Sequence, residues 1–311
     1  MILFLYNKYK IIIGKYRFLH IILIKLIWLE RIPLMKNIFL IVNYNDFDNT
    51  YKLYKNIEKY ECLDEIIIID NASKKDCQNK IKQIKNKKLA VLFSEKNNGY
   101  GSAINIGCKY IKNKYKDANV IISNSDIIIN KEEDIIKLIE DINNTENACA
   151  IAPLVKQNNE IVCGWRFPSI KDALILNIPK INRKYEKNKL NYIYESFDKG
   201  LNEVDVISGC FFIIRLSALE KINYFDENLF LYYEENTIFY RLKKFNYKVY
   251  IDRDVTIMHN HSITINKNIN YKDKLKILKK SQEYYYSKVL KTNKFMLFLL
   301  KLSNKIVLLL K

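Results

Sequence analysis

Short apolar runs alternate with amphipathic segments in the part of the chain that follows residue 36. Runs rich in β-branched residues predict buried strands at 38–42, 65–69, 89–93 and 120–123. The segments after these strands predict helices at 48–60, 76–87, 101–115 and 131–142. Because strand and helix alternate, the pattern predicts βαβ units, and therefore an α/β fold with a Rossmann-like, mostly parallel sheet flanked by helices.

The pattern changes near residue 145. The elements predicted beyond it are extended segments at 148–155 and 160–166, a loop and helix at 171–200, one long strand at 204–215, a helix at 231–245 and a last strand at 248–251. The second half of the chain therefore does not repeat the βαβ units of the first.

The net charge of +18 is concentrated at the two ends of the chain. Residues 1–36 hold seven basic residues and one acidic residue, and 271–311 hold eleven and two. The stretch between them, 37–270, has 34 basic and 31 acidic residues. Lysine supplies 45 of the 52 basic residues, whereas guanine recognition favours arginine. The charge therefore predicts no nucleic-acid partner for the central region.

Both ends combine apolar residues with lysines, and segments 1–36 and 263–311 are predicted to lie at an anionic membrane surface. The N-terminal apolar run is too short and too charged for a spanning helix. On a C-terminal helix, Lys294, Lys301 and Lys305 fall within about 40° of one another and would face the headgroups. The alternative is a helix packed on the domain with its lysines solvated.

Six cysteines without metal-ligand spacing are interpreted as reduced thiols, typical of a cytoplasmic protein.

Polar clusters follow the predicted strands, where ligands bind in open α/β sheets. Asp70 ends the second strand, and its carboxylate would either bind a nucleotide or cap the next helix. Glycines in 97–101 would let the backbone approach a ligand at a helix N-terminus, although the spacing is not that of a dinucleotide-binding loop. Asp126 follows a buried strand and would either bind Mg²⁺ or Mn²⁺ against a diphosphate or stand in a turn.

Two further candidate groups lie in the second half of the chain. Glu234 and Glu235 open a predicted helix, where they would either interact with the helix dipole or supply a general base. His259 and His261 are two of only three histidines and stand two residues apart. They are either functional or an exposed pair at a strand end.

Seven segments, in this order, resemble glycosyltransferase family 2, of the rhamnosyltransferase-like, capsule or O-antigen type. The segments are VNYN (42–45), IDNAS (69–73), NNGYGSAINIG (97–107), SNSD (123–126), SGCFFIIR (208–215), FDENLFLYYEEN (225–236) and HNHS (259–262). Each segment is weak alone, but together they span most of the chain. The resemblance implies a GT-A fold over 37–262, with a nucleotide-sugar half at 37–126 and an acceptor half at 127–262.

The resemblance also implies roles for individual residues. Positions that match the nucleotide-sugar site are Asn43, Asn45, Asp70, Asn98, Gly99, Asn105, Asn124 and Gly209. Asp126 matches the last residue of the metal motif, and His259 matches a histidine near the diphosphate or metal. The resemblance therefore implies Mg²⁺ or Mn²⁺ as cofactor. Glu235 matches the usual catalytic base, and Glu234 is the other candidate for that role.

These matches predict an inverting, metal-dependent glycosyltransferase. It would move a sugar from a nucleotide-diphosphate sugar to a hydroxyl of a glycan, lipid-linked at the cytoplasmic face of the plasma membrane, in cell-surface polysaccharide synthesis. Trp165, Arg166 and the 171–200 excursion are expected to shape the acceptor side. Asn124 and Thr237 replace acids that relatives keep. The alternative is therefore a weakly active or inactive relative that acts as a membrane-surface scaffold.

Overall fold

A computed structural model describes residues 35–157, 160–260 and 270–310. Ten strands within these ranges form one sheet. The strands are β1 Lys36–Asn43, β2 Glu65–Asp70, β3 Leu89–Phe93, β4 Ala118–Asn124, β5 Ile127–Ile128, β6 Ala148–Gln157, β7 Glu160–Val162, β8 Leu201–Val204, β9 Phe211–Arg215 and β10 Lys248–His259.

Helices lie on both faces of this sheet. They are α1 Phe47–Ile57, α2 Lys75–Lys82, α3 Tyr100–Lys114, α4 Glu132–Asn144, α5 Ile170–Leu176, α6 Asn182–Tyr185, α7 Leu216–Lys221, α8 Glu234–Lys243, α9 Tyr271–Tyr284 and α10 Lys294–Leu309. Short π- and 3₁₀-helical turns add Glu186–Leu190, Tyr194–Ser196 and Tyr285–Val289.

The strand order is β3-β2-β1-β4-β9-β6-β10-β5, with β7 paired to β6 and β8 paired to β10. Strands β3, β2, β1 and β4 are parallel, as the βαβ pattern predicts. Strand β9 enters antiparallel between β4 and β6, with Phe211 opposite Ser123. The end of β4 therefore lies beside the start of β9, at the sheet edge where β1 and β2 also end.

Apolar side chains are buried on both faces of the sheet. In β2, Ile67 and Ile69 pack in a cluster with α3 and α8, whereas Ile66 and Ile68 pack in a cluster with α1 and α4. Successive residues of a strand point to opposite faces, so a strand covered on both sides is apolar throughout. This explains why β1, β2 and β4 contain continuous apolar runs and could be predicted from the sequence, whereas the apolar run of β3 is only half-buried at the sheet edge.

The predicted strand at 204–215 is wrong, because the chain forms two strands there. Strand β8 pairs with β10, while β9 pairs with β4 and β6, so the chain changes its place in the sheet between them. Val206 and Ile207 in the connecting segment are fully buried. Because these loop residues are as apolar as strand residues, the sequence pattern does not reveal the break.

Among the other predicted elements with different bounds, two bear on the candidate site. The helix predicted from residue 231 begins at Glu234, because Tyr232 and Tyr233 adopt left-handed φ angles of 70° and 67°. The last strand continues past residue 251 to His259, with an irregular register between Asp252 and Thr256. Both differences alter the surroundings of candidate site residues.

The C-terminal helices pack on the rest of the domain. Tyr285, Tyr286 and Leu300 form a buried cluster with Ala173 of α5. None of the helices in the described ranges combines the length and the apolar character that a membrane span requires. Residues 1–34 and His261 lie outside the described residues, and the division into nucleotide-sugar and acceptor halves stays a prediction.

Candidate functional site

The ends of β1 and β2 carry a connected polar network, here called the β1–β2 corner (Asn43, Thr50, Asp70, Ser73 and Gln78). Asn43 Nδ2 donates to Asp70 Oδ2 at 2.8 Å and to Ser73 Oγ at 3.1 Å, and Thr50 Oγ1 donates to Asn43 Oδ1 at 2.8 Å. Asp70 Oδ1 accepts from Ser73 N and Gln78 Nε2, each at 3.0 Å. The parallel register places Asn43 directly beside Asp70, and both side chains are fully buried.

Asn45 joins the same corner from the loop after β1. Its backbone N–H donates to Ser73 Oγ at 2.8 Å, and its side-chain Oδ1 accepts from Lys74 N at 2.7 Å. Its φ angle of 54° is one that asparagine tolerates better than most residues. The structure therefore brings together Asn43, Asn45 and Asp70, and their side chains hold the two loops in place. Their contact with a nucleotide stays a prediction.

The loop at 97–101 is joined to the segment before α8. Tyr100 N donates to Phe230 O at 3.2 Å. Gly99 has a φ angle of 101°, and a Cβ atom there would lie 2.2 Å from Phe230 O. Only glycine allows both this conformation and this close approach. The neighbouring Asn98 is exposed at the loop surface.

Asn105 lies in α3 and is buried. Its Nδ2 donates to Phe225 O at 3.0 Å, and its Oδ1 accepts from Phe225 N at 3.0 Å. This two-way contact ties α3 to the chain that leads to the glutamate pair. These contacts do not test the expected place of Asn105 beside the diphosphate, which stays a prediction.

Asp126 and His259 meet through the pairing of two strands. Strand β5 follows Asp126 directly and runs antiparallel to β10, with Ile127 opposite His259. His259 Nε2 consequently lies 3.1 Å from Asp126 Oδ1, and both side chains are buried. His259 Nδ1 lies 3.3 Å from Gln157 Oε1 at the end of β6. Asn124 stands at the end of β4, where its N–H donates to Cys210 O at 2.8 Å.

This pair supplies a carboxylate oxygen and an imidazole nitrogen that would hold a divalent cation in place of the proton between them. With Nδ1–H donating to Gln157 Oε1, Nε2 would be the nitrogen open to the ion, in the arrangement common for metal-binding histidines. Burial lowers the pKa of His259, but hydrogen bonds with Asp126 and Cys210 outweigh burial and raise it to about 10. No group of three or more His, Cys, Asp or Glu residues is placed for a metal in the described part of the chain. Two protein ligands suffice for Mg²⁺ when diphosphate oxygens supply others.

Glu235 is held against the loop that precedes β9. Gly209 N donates to Glu235 Oε1 at 3.2 Å, and Tyr100 Oη donates to Gly209 O at 2.9 Å. A Cβ atom on Gly209 would lie 2.4 Å from Glu235 Oε1, so the carboxylate occupies the space that glycine leaves. The left-handed backbone at Tyr232 and Tyr233 sets the start of α8, and strained backbone of this kind clusters at functional sites.

The two adjacent glutamates have different surroundings. Glu234 is buried, and its Oε1 has no hydrogen-bond partner among the described residues. Burial first, and the charge of Glu235 second, raise the pKa of Glu234 well above its ordinary value. Burial also raises the pKa of Glu235, while the Gly209 N–H opposes that shift. The Gly209 N–H therefore favours the ionised form of Glu235, whereas Glu234 Oε1 has no such donor among the described residues.

Tyr100 links the glutamate pair to the Asp126–His259 pair. Burial raises the pKa of Tyr100 well above its ordinary value, and the nearby charges of Glu235, Glu234 and Asp126 add to the shift. Gly209, which contacts both Tyr100 and Glu235, is followed by Cys210, whose carbonyl accepts from Asn124 N two residues before Asp126. One region, here called the site centre, is therefore surrounded by Tyr100, Glu234, Glu235, Asp126 and His259.

Comparison with known proteins identifies the family. The family model for "Glycosyl transferase family 2" matches residues 38–223, which is more than half of the chain. The chain belongs to this family. The resemblance seen in the sequence motifs is confirmed, and the protein is a glycosyltransferase.

Two curated members of the family are similar in sequence. The low-salt glycan biosynthesis hexosyltransferase Agl10 of Haloferax volcanii is 25% identical over 224 residues, which cover 72% of this chain and 67% of that protein. The rhamnosyltransferase WbbL of Escherichia coli is 27% identical over 150 residues, which cover 46% of this chain and 54% of that protein. The match thus spans about half the length of WbbL.

Solved structures of glycosyltransferases share the fold. The mannosyltransferase PcManGT from Pyrobaculum calidifontis, in complex with GDP-Man and Mn²⁺, has a TM-score of 0.55 at 11% identity, with 89% of this chain and 73% of that chain covered. GalNAc-T7 with UDP, GalNAc and Mn²⁺ has a TM-score of 0.56 at 15% identity, with 82% and 50% covered. The GT-A fold expected from the sequence is therefore confirmed.

Trp165 and Arg166 form a separate group in this glycosyltransferase. Trp165 pairs with Val206, the third residue before Gly209, through backbone hydrogen bonds of 2.9 and 3.0 Å. Arg166 is exposed, and its guanidinium lies over the ring of Tyr192 at 4.4 Å. Trp165 therefore contacts the loop before β9, and Arg166 contacts the 171–200 excursion. Their contact with an acceptor stays a prediction.

The C-terminal helices hold the segment that leads into the glutamate pair. Ser281 Oγ of α9 donates to Leu231 O at 2.7 Å, and Gln282 Nε2 donates to Tyr233 Oη at 3.0 Å. The rings of Tyr233 and Tyr285 lie 5.2 Å apart. The strained turn before α8 is thus fixed by residues that follow it by about fifty positions, a contact that no local pattern predicts.

Three residues in or next to the site centre were not among the predicted site residues. Tyr100 stands inside the segment 97–107 and next to Gly99, so that segment offered a signal for it. Cys210 is adjacent to Gly209, but the sequence shows it only as one of six isolated cysteines. Gln157 reaches His259 because β6 pairs with β10, and no sequence signal points to it.

Proposed function

We propose that this glycosyltransferase is an inverting, metal-dependent enzyme that moves a sugar from a nucleotide-diphosphate sugar to a hydroxyl group of a glycan. The observation that carries the proposal is the Glu235 carboxylate, held 3.2 Å from the Gly209 N–H in the region that also contains Asp126 and His259. One ionised carboxylate beside a cation site supports a single displacement. A glycoside hydrolase would instead use two carboxyl groups on opposite sides of the bond.

Glu235 acts as the general base in this proposal. Its carboxylate accepts the proton of the acceptor hydroxyl while the hydroxyl oxygen attacks the anomeric carbon. The bond from that carbon to the diphosphate oxygen breaks on the opposite side, so the anomeric configuration inverts. A pKa raised by burial brings a carboxylate closer to the operating pH and makes it a stronger base. Glu234 is the weaker candidate, because its buried Oε1 has no hydrogen-bond partner among the described residues and burial raises its pKa.

Asp126 and His259 would hold Mg²⁺ or Mn²⁺ on the donor side. When bound, such an ion supplies positive charge that stabilises the departing diphosphate. Support comes from the donor set of the pair and from the Mn²⁺ in both similar solved structures. The β1–β2 corner and Gly99 would shape the nucleotide site beside it, with Asn124 contributing an amide where relatives have a carboxylate.

We extend the proposal to the acceptor. The two curated relatives are named for glycan biosynthesis and for rhamnosyl transfer. The first name supports a glycan acceptor. Our further proposal, which rests on the sequence motifs alone, is that this glycan is lipid-linked at the cytoplasmic face of the plasma membrane and belongs to a bacterial capsule or O-antigen. Trp165 and Arg166 would contribute to the choice of acceptor, since they contact the loop that contains Gly209 or the excursion next to it.

Thermal unfolding and turnover together test the proposal. The protein is titrated with a panel of nucleotide sugars, with and without Mn²⁺, and the donor that stabilises it is used in a transfer assay with the product's anomeric configuration read by NMR. We expect stabilisation that requires Mn²⁺ and is lost in Asp126→Asn.

Variants of two glutamates separate catalysis from binding. Glu235→Gln should keep the Mn²⁺-dependent stabilisation and lose transfer, while Glu140→Gln, an exposed position on α4, should change neither. Transfer that survives in Glu235→Gln, or a retained anomeric configuration, would overturn the mechanism. A donor that binds without any transfer by the unmodified protein would favour the scaffold alternative.

A further inference from the structure

Helix α10 has two apolar faces, and the fold covers only one of them. Leu300 and Asn304 on the inner face are buried, with exposures of 0% and 1%. A second set of apolar side chains is solvent-exposed and is here called the outer stripe: Phe295 (69%), Phe298 (61%), Leu302 (46%), Ile306 (48%) and Leu309 (77%). Residues at this spacing lie on one side of a helix, within about 80° of one another.

The outer stripe is bordered by positive charge. Lys294, Lys301 and Lys305 are exposed and fall on one flank of the stripe, within about 40° of one another. The surrounding stretch, 284–310, contains five lysines and no aspartate or glutamate. An apolar stripe with a lysine flank is the pattern of a helix that lies in a bilayer interface.

The orientation of α10 on the domain is fixed by specific contacts. Asn177 Nδ2 donates to Asn304 Oδ1 at 2.8 Å and to Ser303 Oγ at 2.9 Å. Asn293 caps the helix by accepting from Met296 N at 2.9 Å. The inner face is therefore held against the domain, so rotation of the helix cannot bury the outer stripe without loss of these bonds.

We propose that the outer stripe of α10 docks on an anionic lipid bilayer. The helix lies in the plane of the membrane, its five apolar side chains enter the boundary of the acyl chains, and its lysines contact the headgroups. A second copy of the chain fits less well, because a pair of α10 helices would bring two lysine flanks together with no acidic side chain on either. The inference concerns binding alone, so it stands or falls separately from the proposed transfer reaction.

Sedimentation with vesicles tests the apolar part of the surface. The full-length protein is mixed with vesicles of phosphatidylcholine and phosphatidylglycerol in equal parts, and we expect it to sediment with them. Phe298→Asp combined with Leu302→Asp should lower the partition coefficient by about tenfold or more. The matched control, Ile136→Asp with Phe245→Asp, changes two exposed apolar residues on α4 and after α8 and should partition like the unmodified protein.

Charge variants test the lysine flank. Lys294, Lys301 and Lys305 changed together to glutamine should reduce binding to the anionic vesicles, by up to about fivefold per lysine. The same change of charge at Lys52, Lys59 and Lys85, which are exposed elsewhere, should leave binding nearly unchanged. On vesicles of phosphatidylcholine alone, the two triple variants should not differ from the unmodified protein.

Three results would overturn the proposal. The first is an unmodified protein that stays in the supernatant with anionic vesicles. The second is an outer-stripe variant with the same vesicle partition coefficient and the same thermal unfolding as the unmodified protein. The third is an outer-stripe variant that turns a dimer into a monomer in sedimentation velocity but leaves vesicle binding intact, which would assign the stripe to a second copy.

Discussion

Two polar regions at the same edge of the sheet are built in opposite ways. In the β1–β2 corner, both oxygens of Asp70 and the amide of Asn43 have hydrogen-bond partners, and the two side chains are fully buried. In the site centre, a buried oxygen of Glu234 has no hydrogen-bond partner in the described part of the chain, and Glu235 places a second carboxyl group beside it. The backbone before them is strained at Tyr233.

The difference separates a scaffold from a reaction site. Buried polar groups almost always have partners, because an unpaired group loses its bonds to water without replacement. Groups that remain unpaired, and strained backbone next to them, persist where function requires them. We therefore propose that the β1–β2 corner shapes the site and that the site centre performs the chemistry. Isosteric substitutions in the two regions should then have opposite effects on stability.

The largest expected effect is that of Glu235→Gln on turnover. Removal of a general base lowers kcat by roughly 10²–10⁴, and glutamine keeps the size of the side chain. Burial raises the pKa of Glu235, so the acid limb of kcat/KM against pH should lie above the usual range of carboxyl groups, with activity rising as pH rises and the base ionises. A loss of similar size in Glu234→Gln with an unaffected Glu235→Gln would reverse the assignment.

The next effect is that of Asn43→Asp on stability. The substitution replaces the donor 2.8 Å from Asp70 Oδ2 with a second carboxylate in a fully buried position. The free energy of unfolding at neutral pH should fall by about 2–4 kcal/mol, and the loss should shrink at low pH, where one carboxyl is protonated. Urea unfolding measures it. Asn79→Asp, at an exposed position on α2, is the control and should stay near the unmodified value.

Gly209→Ala should affect both stability and turnover. The new methyl group would lie 2.4 Å from Glu235 Oε1 and 3.1 Å from its carboxyl carbon, so the carboxylate has to move. We expect a loss of about 1–3 kcal/mol in the free energy of unfolding and a lower kcat at little change in donor KM. Gly200→Ala introduces strain at a φ angle of 74° but meets no atom within 4 Å, so it should cost stability and keep kcat. Equal kcat for the two variants would show that the methyl group at position 209 does not displace the Glu235 carboxylate from its catalytic position.

Much of the fold could be predicted because its strands are buried on both faces. The run Ile66–Ile69 is entirely apolar and fully buried, so the sequence alone identifies it as part of the core. The polar residue Asp70 marks the end of the run. The same logic failed at 204–215, where Val206 and Ile207 are buried loop residues. It also failed at β10, because Asp252 to Asp254 interrupt the apolar pattern although the strand continues through an irregular register.

The candidate site could be predicted residue by residue but not as an arrangement. Asp126 and His259 were recognisable singly, yet their contact depends on β5, a strand of two residues that no periodicity can indicate. Asn105 was expected at the diphosphate. The structure shows that it bonds to Phe225, a partner 120 residues later in the chain that no local pattern indicates. The left-handed turn at Tyr233 is set by α9, far along the chain.

The smallest effect, and the one that tests the comparison most directly, is a gain of stability in Glu234→Gln. Because burial raises the pKa of Glu234, the folded protein keeps a proton that the unfolded chain releases above the ordinary pKa of 4.5. The stability of the unmodified protein therefore falls as pH rises through and above that value. Glutamine removes the ionisation, so the variant should gain stability as pH rises above 4.5, by about 1–2 kcal/mol at neutral pH, and nothing near pH 4. Urea unfolding across this pH range measures the gain, with Glu140→Gln as the exposed control. A variant that is less stable than the unmodified protein at every pH would mean that Glu234 is a bonded scaffold residue like Asp70, and the contrast between the two regions would fail.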